Sequence, residues 1–238
     1  MIIFAADTSA KSASVALVED GVIKGEFFIN TMLTHSETLM PMADTLFKSV
    51  RIEPKNVDYF AVNSGPGSFT GLRIGIAAVK GMSFALNKPC VSVSTLESMA
   101  YNISADDAVI CAVMDARCNQ VYNAIFNVFG GKIERMCDDR ALQTDELADE
   151  LSKTDKKIIL VGDGARLCFD KMSQSLKNLE LASENVLYQR ASSTAFAAKK
   201  LIEKGEVVTS SQLMPKYLRL PQAQRELLAK KNSVEPVK

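Results

Sequence analysis

The stretch Asn63-Ser64-Gly65-Pro66-Gly67-Ser68-Phe69-Thr70-Gly71-Leu72-Arg73-Ile74-Gly75 decides how the rest of the chain is read. A strand-like run, Val57-Asp58-Tyr59-Phe60-Ala61-Val62, leads into it, and a long apolar segment from Leu72 to Leu86 leads out. The order is strand, glycine-rich loop, helix. Gly65 and Gly67 open backbone angles closed to other residues, and Pro66 stiffens the turn between them. Ser68 or Thr70 is placed to cap the helix by accepting one of its free N–H groups.

Free N–H groups at a helix start attract phosphate, but the common fingerprints fail here. A P-loop ends in Gly-Lys-Ser/Thr, whereas Gly71 is followed by Leu72 and Arg73. A dinucleotide fingerprint needs G-x-G-x-x-G; Gly65, Gly67 and Gly71 are one residue too widely spaced, and Val91-Ser92-Val93-Ser94-Thr95 lacks the acidic residue that should come after it. A nucleophile elbow needs G-x-S-x-G, and Ser68 directly follows Gly67. The loop therefore reads as a turn that positions the helix, ahead of one that grips phosphate.

Along the helix, predicted over 70–87, Gly71, Gly75, Ala78, Met82 and Ala85 share a small, flat face. Leu72, Ile76, Val79 and Leu86 form a second apolar face, and only Arg73 and Lys80 are charged. A helix lying on a sheet needs one apolar stripe. Two stripes fit either a helix buried inside the domain or one with a sheet on one side and a partner protein on the other. A second helix, predicted over 34–50, repeats the pattern. Thr34-His35-Ser36-Glu37 has capping-box spacing, Leu39, Met42, Leu46 and Val50 form one stripe, and Met40 and Phe47 a second. Pro41 should kink this helix or shift its start.

Outside these segments the chain repeats itself. A buried strand over 1–6 ends in Asp7-Thr8-Ser9, a hairpin turns at Glu19-Asp20-Gly21, and a strand over 90–94 with a short helix from Thr95 closes the unit. Near Asp106 the order restarts: a strand over 108–114, Asp115-Ala116-Arg117, a hairpin at Gly130-Gly131, a helix over 144–151, a strand over 157–161, Gly162-Asp163-Gly164, a helix over 165–176, a short strand over 179–182 and a helix over 193–204. This is an internal duplication of an α/β unit, with Asp7 and Asp115 at equivalent points. It predicts two facing lobes, 1–103 and 104–220, with a cleft suited to a nucleotide. Pro215 and Pro221 mark an extended crossing segment, and 221–238 reads as a frayed tail.

Composition narrows the function. Basic and acidic residues number 28 each, so the chain lacks the excess positive charge of a stand-alone nucleic-acid binder. Cys90, Cys111, Cys118, Cys137 and Cys168 form no C-x-x-C pair, which fits reduced thiols in a cytosolic protein. No apolar run reads as a membrane span, and the run over 2–6 is too short for a signal peptide. His35 is the one histidine, so paired-histidine metal motifs are impossible, and no metal site is expected. Asp7, Ser9 and Asp115 are the candidates for holding a metal–nucleotide complex, and the same residues can simply close turns. Lys11 and Arg117 read as solvated hairpin charges.

The run over 3–17 with Asp7-Thr8-Ser9, then Thr34-His35-Ser36-Glu37-Thr38-Leu39-Met40-Pro41, then Ser64 to Gly75, and finally Pro215-Lys216-Tyr217-Leu218-Arg219, together resemble the TsaB family, also called YeaZ. The resemblance spans nearly the whole chain. It implies an α/β fold of two duplicated lobes, the ribonuclease H-like architecture shared by actin, sugar kinases and Hsp70.

It also implies a place in making threonylcarbamoyladenosine beside the anticodon of tRNA. In that scheme the relative TsaD holds a metal through paired histidines and transfers the threonylcarbamoyl group, TsaE is a small ATPase that joins, and the TsaB-like chain is a non-catalytic, cytoplasmic partner. By the same resemblance the chain has no cofactor of its own, and ATP or ADP enters only with the complex. The partner surface implied for TsaD, or for a second copy in a homodimer, is carried by the helices over 34–50 and 70–86. Its expected residues are Thr34, His35, Leu39, Met42, Leu46, Gly71, Arg73, Gly75, Ala78 and Met82. Gly75→Arg is expected to leave the fold intact and abolish partner binding. The alternative is an ATP-binding phosphotransferase that works in the cleft.

Overall fold

The computed structural model describes residues 1–31 and 33–219. The first unit runs β1 (Ile2–Asp7), β2 (Ala13–Glu19), β3 (Val22–Ile29), α1 (His35–Val50), β4 (Tyr59–Gly65), α2 (Phe69–Leu86), β5 (Cys90–Ser94) and α3 (Thr95–Ala100). The second runs β6 (Ala108–Asp115), β7 (Gln120–Phe129), β8 (Lys132–Arg135), β9 (Arg140–Gln143), α4 (Thr144–Leu151), β10 (Lys157–Val161), α5 (Ala165–Met172) and β11 (Leu179–Leu181). A single-turn α6 (Glu184–Leu187) and α7 (Ala191–Glu203) come last.

The duplication is realised strand for strand. The first sheet has the order β3-β2-β1-β4-β5, and the second, read the same way, β8-β7-β6-β10-β11, with β9 added beside β7. In both, the first strand pairs antiparallel with its hairpin partner and parallel with the strand that follows a helix.

The first sheet is covered on both faces, so its strands read as continuous apolar runs. Phe4, Ala6, Val15, Leu17, Phe60 and Val62 point to the α1/α2 side, where Phe4 stacks on Phe47 with ring centroids 5.3 Å apart. Ile3, Ala5, Ala16, Val18 and Ala61 point to the other side, against Ala191, Ala195 and Ala198 of α7. Small residues on both surfaces let that helix lie close to the sheet.

This corrects the expected boundary. The second lobe does not keep the segment over 191–213: α7 packs on β1, β2, β4 and β5 of the first, and Leu213 is buried in that lobe. The chain then turns round the β5 edge, where Cys90 bridges Val208, and buries Leu213 on the α1/α2 side. From Leu213 to Arg219 the chain crosses from the first lobe to the second, as expected of the segment marked by Pro215; Pro221 lies outside the described residues. Lys216 N donates to Ser64 O (2.8 Å), and Arg219 Nη1 donates to Ala116 O (2.8 Å) in the second lobe. The tail over 221–238 lies outside the described residues.

Local departures have local causes. β4 continues past Val62 because Ser64 Oγ finds Val93 O (3.2 Å) and Asn63 Nδ2 finds Asp7 Oδ2 inside the lobe. Ser68, not Thr70, caps α2, accepting from Gly71 N (3.2 Å). The capping box at Thr34 is not formed: its hydroxyl pairs with Ser36 Oγ (3.3 Å). Pro41 sits inside α1 without shifting its start. α5 ends at Met172 in a turn whose hydrogen bonds converge on the Met172 carbonyl, from Ser175 N (3.0 Å), Ser175 Oγ (3.0 Å) and Leu176 N (2.9 Å). By length and composition α2 alone among the described helices could cross a membrane, contrary to the expectation that no apolar run is a span. Its placement against β4, β1 and α1 is that of a layer helix.

Candidate functional site

Two features stand out: the cleft between the lobes and the outer surface of α1 and α2. The cleft forms where β1 and β6 end. Asp7 is buried there, its Oδ1 accepting from Ser9 N (2.8 Å) and Ser9 Oγ (2.9 Å), its Oδ2 from Asn63. Desolvation pushes its carboxyl above the ordinary range, against the pull of those hydrogen bonds. Asp115 is exposed and accepts from Arg117 N (2.7 Å). Each aspartate thus closes a turn two residues on, the blander of the two sequence readings.

The glycine turns lock onto these aspartate turns. Gly67 has φ +159°, and a Cβ there would strike the Ser9 carbonyl. Ser68 N donates to that same carbonyl (2.7 Å), so α2 starts at the cleft. In the second lobe Gly164 N donates to Val113 O (3.2 Å), which carries Asp163 into the cleft. Asp163 is half-buried, accepts from Gln189 Nε2 (3.1 Å) and is pushed up to about 6 by desolvation, with the Asp115 and Asp7 carboxylates adding to the shift.

The cleft has a volume of about 690 Å³ and is lined by Ser9, Lys11, Arg73, Asp115, Arg117, Asp163 and Arg219, among others. Lys11 and Arg117 are therefore lining residues as well as solvated ones. Sequence reading missed Asp163 and Arg219 as lining residues. Among the described residues no group of three histidine, cysteine or acidic side chains is placed to hold a metal ion. His35 is spent on a tether, its Nε2 lying 2.8 Å from Ala10 O, and Ser9 Oγ bonds Asp7 instead of the histidine. The cleft thus offers cations and turn N–H groups around carboxylates, with no nucleophile–base pair assembled among the described residues.

The helix surface needs a larger correction. Leu39 and Leu46 are buried in the core of their own lobe, and Gly71 and Gly75 lie under α2 against Thr8. A Cβ on Gly71 would strike the Thr8 carbonyl, and one on Gly75 the Thr8 hydroxyl. These four residues cannot meet a partner. Thr34 and Arg73 are exposed, while His35, Met42, Ala78 and Met82 are partly so. Arg73 is turned to the cleft rim, its Nε donating to Tyr217 Oη (2.9 Å) beside the Phe69–Tyr217 stack (4.0 Å).

The outward face of α2 is instead Ala77, Gly81, Phe84 and Ala85. Phe84 is 79% exposed, and a Cβ on Gly81 would have nothing within 4 Å. Met40 (47% exposed), Ala43 and Phe47 of α1, Ile52 and Pro54 just after it and Met82 of α2 line an apolar groove of about 540 Å³, rimmed by Asp44, Lys48 and Arg51. An exposed phenylalanine opposite the sheet side was the available signal, masked in sequence because α2 is apolar nearly all round.

The chain is similar to known proteins in both sequence and structure. The sequence matches, over residues 30–227, the family model described as "TsaD: tRNA N6-adenosine threonylcarbamoyltransferase". It is 31% identical over 198 residues to the tRNA threonylcarbamoyladenosine biosynthesis protein TsaB of Buchnera aphidicola subsp. Schizaphis graminum, covering 80% of this chain and 89% of that one. It is 29% identical to the protein of the same name from Bacillus subtilis, over 94% of this chain and 96% of that one. A solved structure of a Pseudomonas aeruginosa protein with similarity to peptidase YEAZ superposes with a TM-score of 0.79 at 27% identity, over 92% of this chain and 99% of that one.

Proposed function

The chain belongs to the TsaD-type family and, within it, to the TsaB proteins named for tRNA threonylcarbamoyladenosine biosynthesis, and from that premise we propose that it is the non-catalytic partner of TsaD in that pathway. The observation that supports this reading is the outer face of α1 and α2. Met40 stands exposed in an apolar groove along α1, Phe84 stands exposed on α2, and Ala77, Gly81 and Ala85 leave a flat track along which another helix can lie. Exposed apolar surface of this kind is costly to leave in water and marks a docking surface. Two helices from this chain and two from the partner make a four-helix contact, and a second copy can occupy the same face when TsaD is absent.

In this reading TsaE joins the assembled pair, tRNA is reached through the complex, and the work is cytoplasmic. No cofactor is assigned to the chain by itself. The decisive variant is Gly81→Arg, which places a charged side chain on the open track. It is expected to leave the chain folded, to abolish co-elution with TsaD and to cut threonylcarbamoyl transfer to tRNA. Unchanged co-elution of a folded Gly81→Arg chain would refute the assigned face.

A further inference from the structure

Four cations from four separate segments meet at the mouth of the cleft. Lys11 comes from the turn between β1 and β2, Arg73 from the start of α2, Arg117 from the turn between β6 and β7, and Arg219 from the crossing segment. The chain as a whole is neutral, so this is local sorting of charge. Among the described residues none of the four is in an ion pair. Lys11, Arg73 and Arg117 are exposed, and α2, 18 residues long, points its positive end at the same rim.

The geometry is held in place. Arg117, Cys118 and Asn119 all have positive φ (63°, 54° and 59°), a conformation that non-glycine residues resist. It persists because Ala116 N bonds Gln120 O (3.0 Å), Thr144 N bonds Asn119 O (3.1 Å) and Lys171 Nζ bonds Asn119 Oδ1 (3.0 Å). Strain kept by its surroundings points to a use for the turn, and this turn puts Arg117 on the cleft. Arg73 is held by Tyr217, its guanidinium carbon 5.7 and 5.8 Å from the Phe69 and Tyr217 ring centres.

At the rim the three exposed cations Lys11, Arg73 and Arg117 outnumber the one exposed carboxylate, Asp115, whereas Asp163 is half-buried and Asp7 fully so. A small anion seated deep would meet carboxylates. A long polyanion lying across the mouth would meet the cations and could stack a base on the aromatic pair. We propose that the cleft mouth, through Lys11, Arg73, Arg117 and Arg219, binds the phosphate backbone of an RNA strand laid across both lobes. This deepens, and rests on, the reading of the chain as part of a tRNA-modifying complex. A free nucleotide offers the same phosphate chemistry, so the test separates the two.

Unmodified tRNA transcript is titrated by fluorescence anisotropy into the chain alone and into its complex with TsaD, at several salt concentrations, for the wild type and for Lys11→Glu/Arg117→Glu. The expected result is at least tenfold weaker binding at low salt, and a slope of log affinity against log salt shallower by roughly 1.5–2, with the complex still assembling. Unchanged tRNA affinity overturns the proposal and leaves the partner role standing. Calorimetric ATP binding that the double variant abolishes, with tRNA affinity intact, also overturns it in favour of a nucleotide. If the double variant disturbs assembly, a photo-crosslinker at position 117 decides. A crosslink to tRNA supports the proposal, and a crosslink to TsaD in its place overturns it.

Discussion

The two lobes share one plan and spend it differently. The first carries helices of 16 and 18 residues, α1 and α2; their counterparts α4 and α5 have 8 each. At 1.5 Å per residue that is about 24 and 27 Å against about 12 Å. The shorter pair is enough for the second lobe. The longer pair covers its sheet and still leaves Met40 and Phe84 in water. A repeated unit needs no extra helix length for folding alone, so the added turns of the first lobe point to a task outside the chain. The aspartate turns diverge as well: Asp7 is buried and triply bonded, Asp115 exposed with one bond from Arg117 N.

The two faces of α2 provide the sharpest way to break this contrast. Gly75→Arg would drive a side chain into Thr8 and Val62 beneath the helix. Its expected cost is more than about 4 kcal/mol, seen as loss of the folded chain in thermal melts, which reverses the outcome expected from sequence. Gly81→Arg, six residues along on the open side, should hold or raise stability by up to roughly 0.8 kcal/mol, because arginine is the better helix former. If the two melt alike, the assignment of inner and outer faces is wrong.

The aspartates come next in size. Asp7→Ala leaves Ser9 N, Ser9 Oγ and Asn63 Nδ2 without their acceptor in a buried place. The expected loss is about 2–4 kcal/mol by denaturant unfolding. Asp115→Ala removes one exposed turn bond and should cost less than about 1 kcal/mol. Equal losses would mean that the lobes treat their turn aspartates alike, and the contrast between buried and exposed turns would fall.

How much of this was legible in sequence depends on the range of the interactions. The strand, glycine turn and helix around Gly65 were, because φ permission and apolar periodicity are local. The duplication was too, since Asp7 and Asp115 sit at matching places before matching hairpins. The outward face of α2 was not: with both flanks apolar, only the distant contact of Thr8 with Gly71 and Gly75 settles it. The return of α7 to the first sheet was equally hidden, because Ala191, Ala195 and Ala198 would suit either lobe. Asp163 reads as a turn residue, and the hydrogen bond that holds it comes from Gln189, 26 positions on.

The middle residue of each glycine turn offers the subtlest test. Pro66 between Gly65 and Gly67 has no charge to lose, whereas Asp163 between Gly162 and Gly164 has its pKa raised to about 6 by burial beside two other carboxylates. A carboxyl that binds its proton more tightly when folded adds stability below the unfolded pKa, and that contribution is lost as pH rises through the folded one. Asp163→Asn can still accept from Gln189 and cannot ionise. Its melting temperature should therefore match the wild type near pH 4, pull ahead between about pH 4 and 6, and stay ahead by a constant margin above that. An offset that does not change with pH would show that Asp163 ionises freely in the folded chain, and the second turn would then be as indifferent to pH as the first.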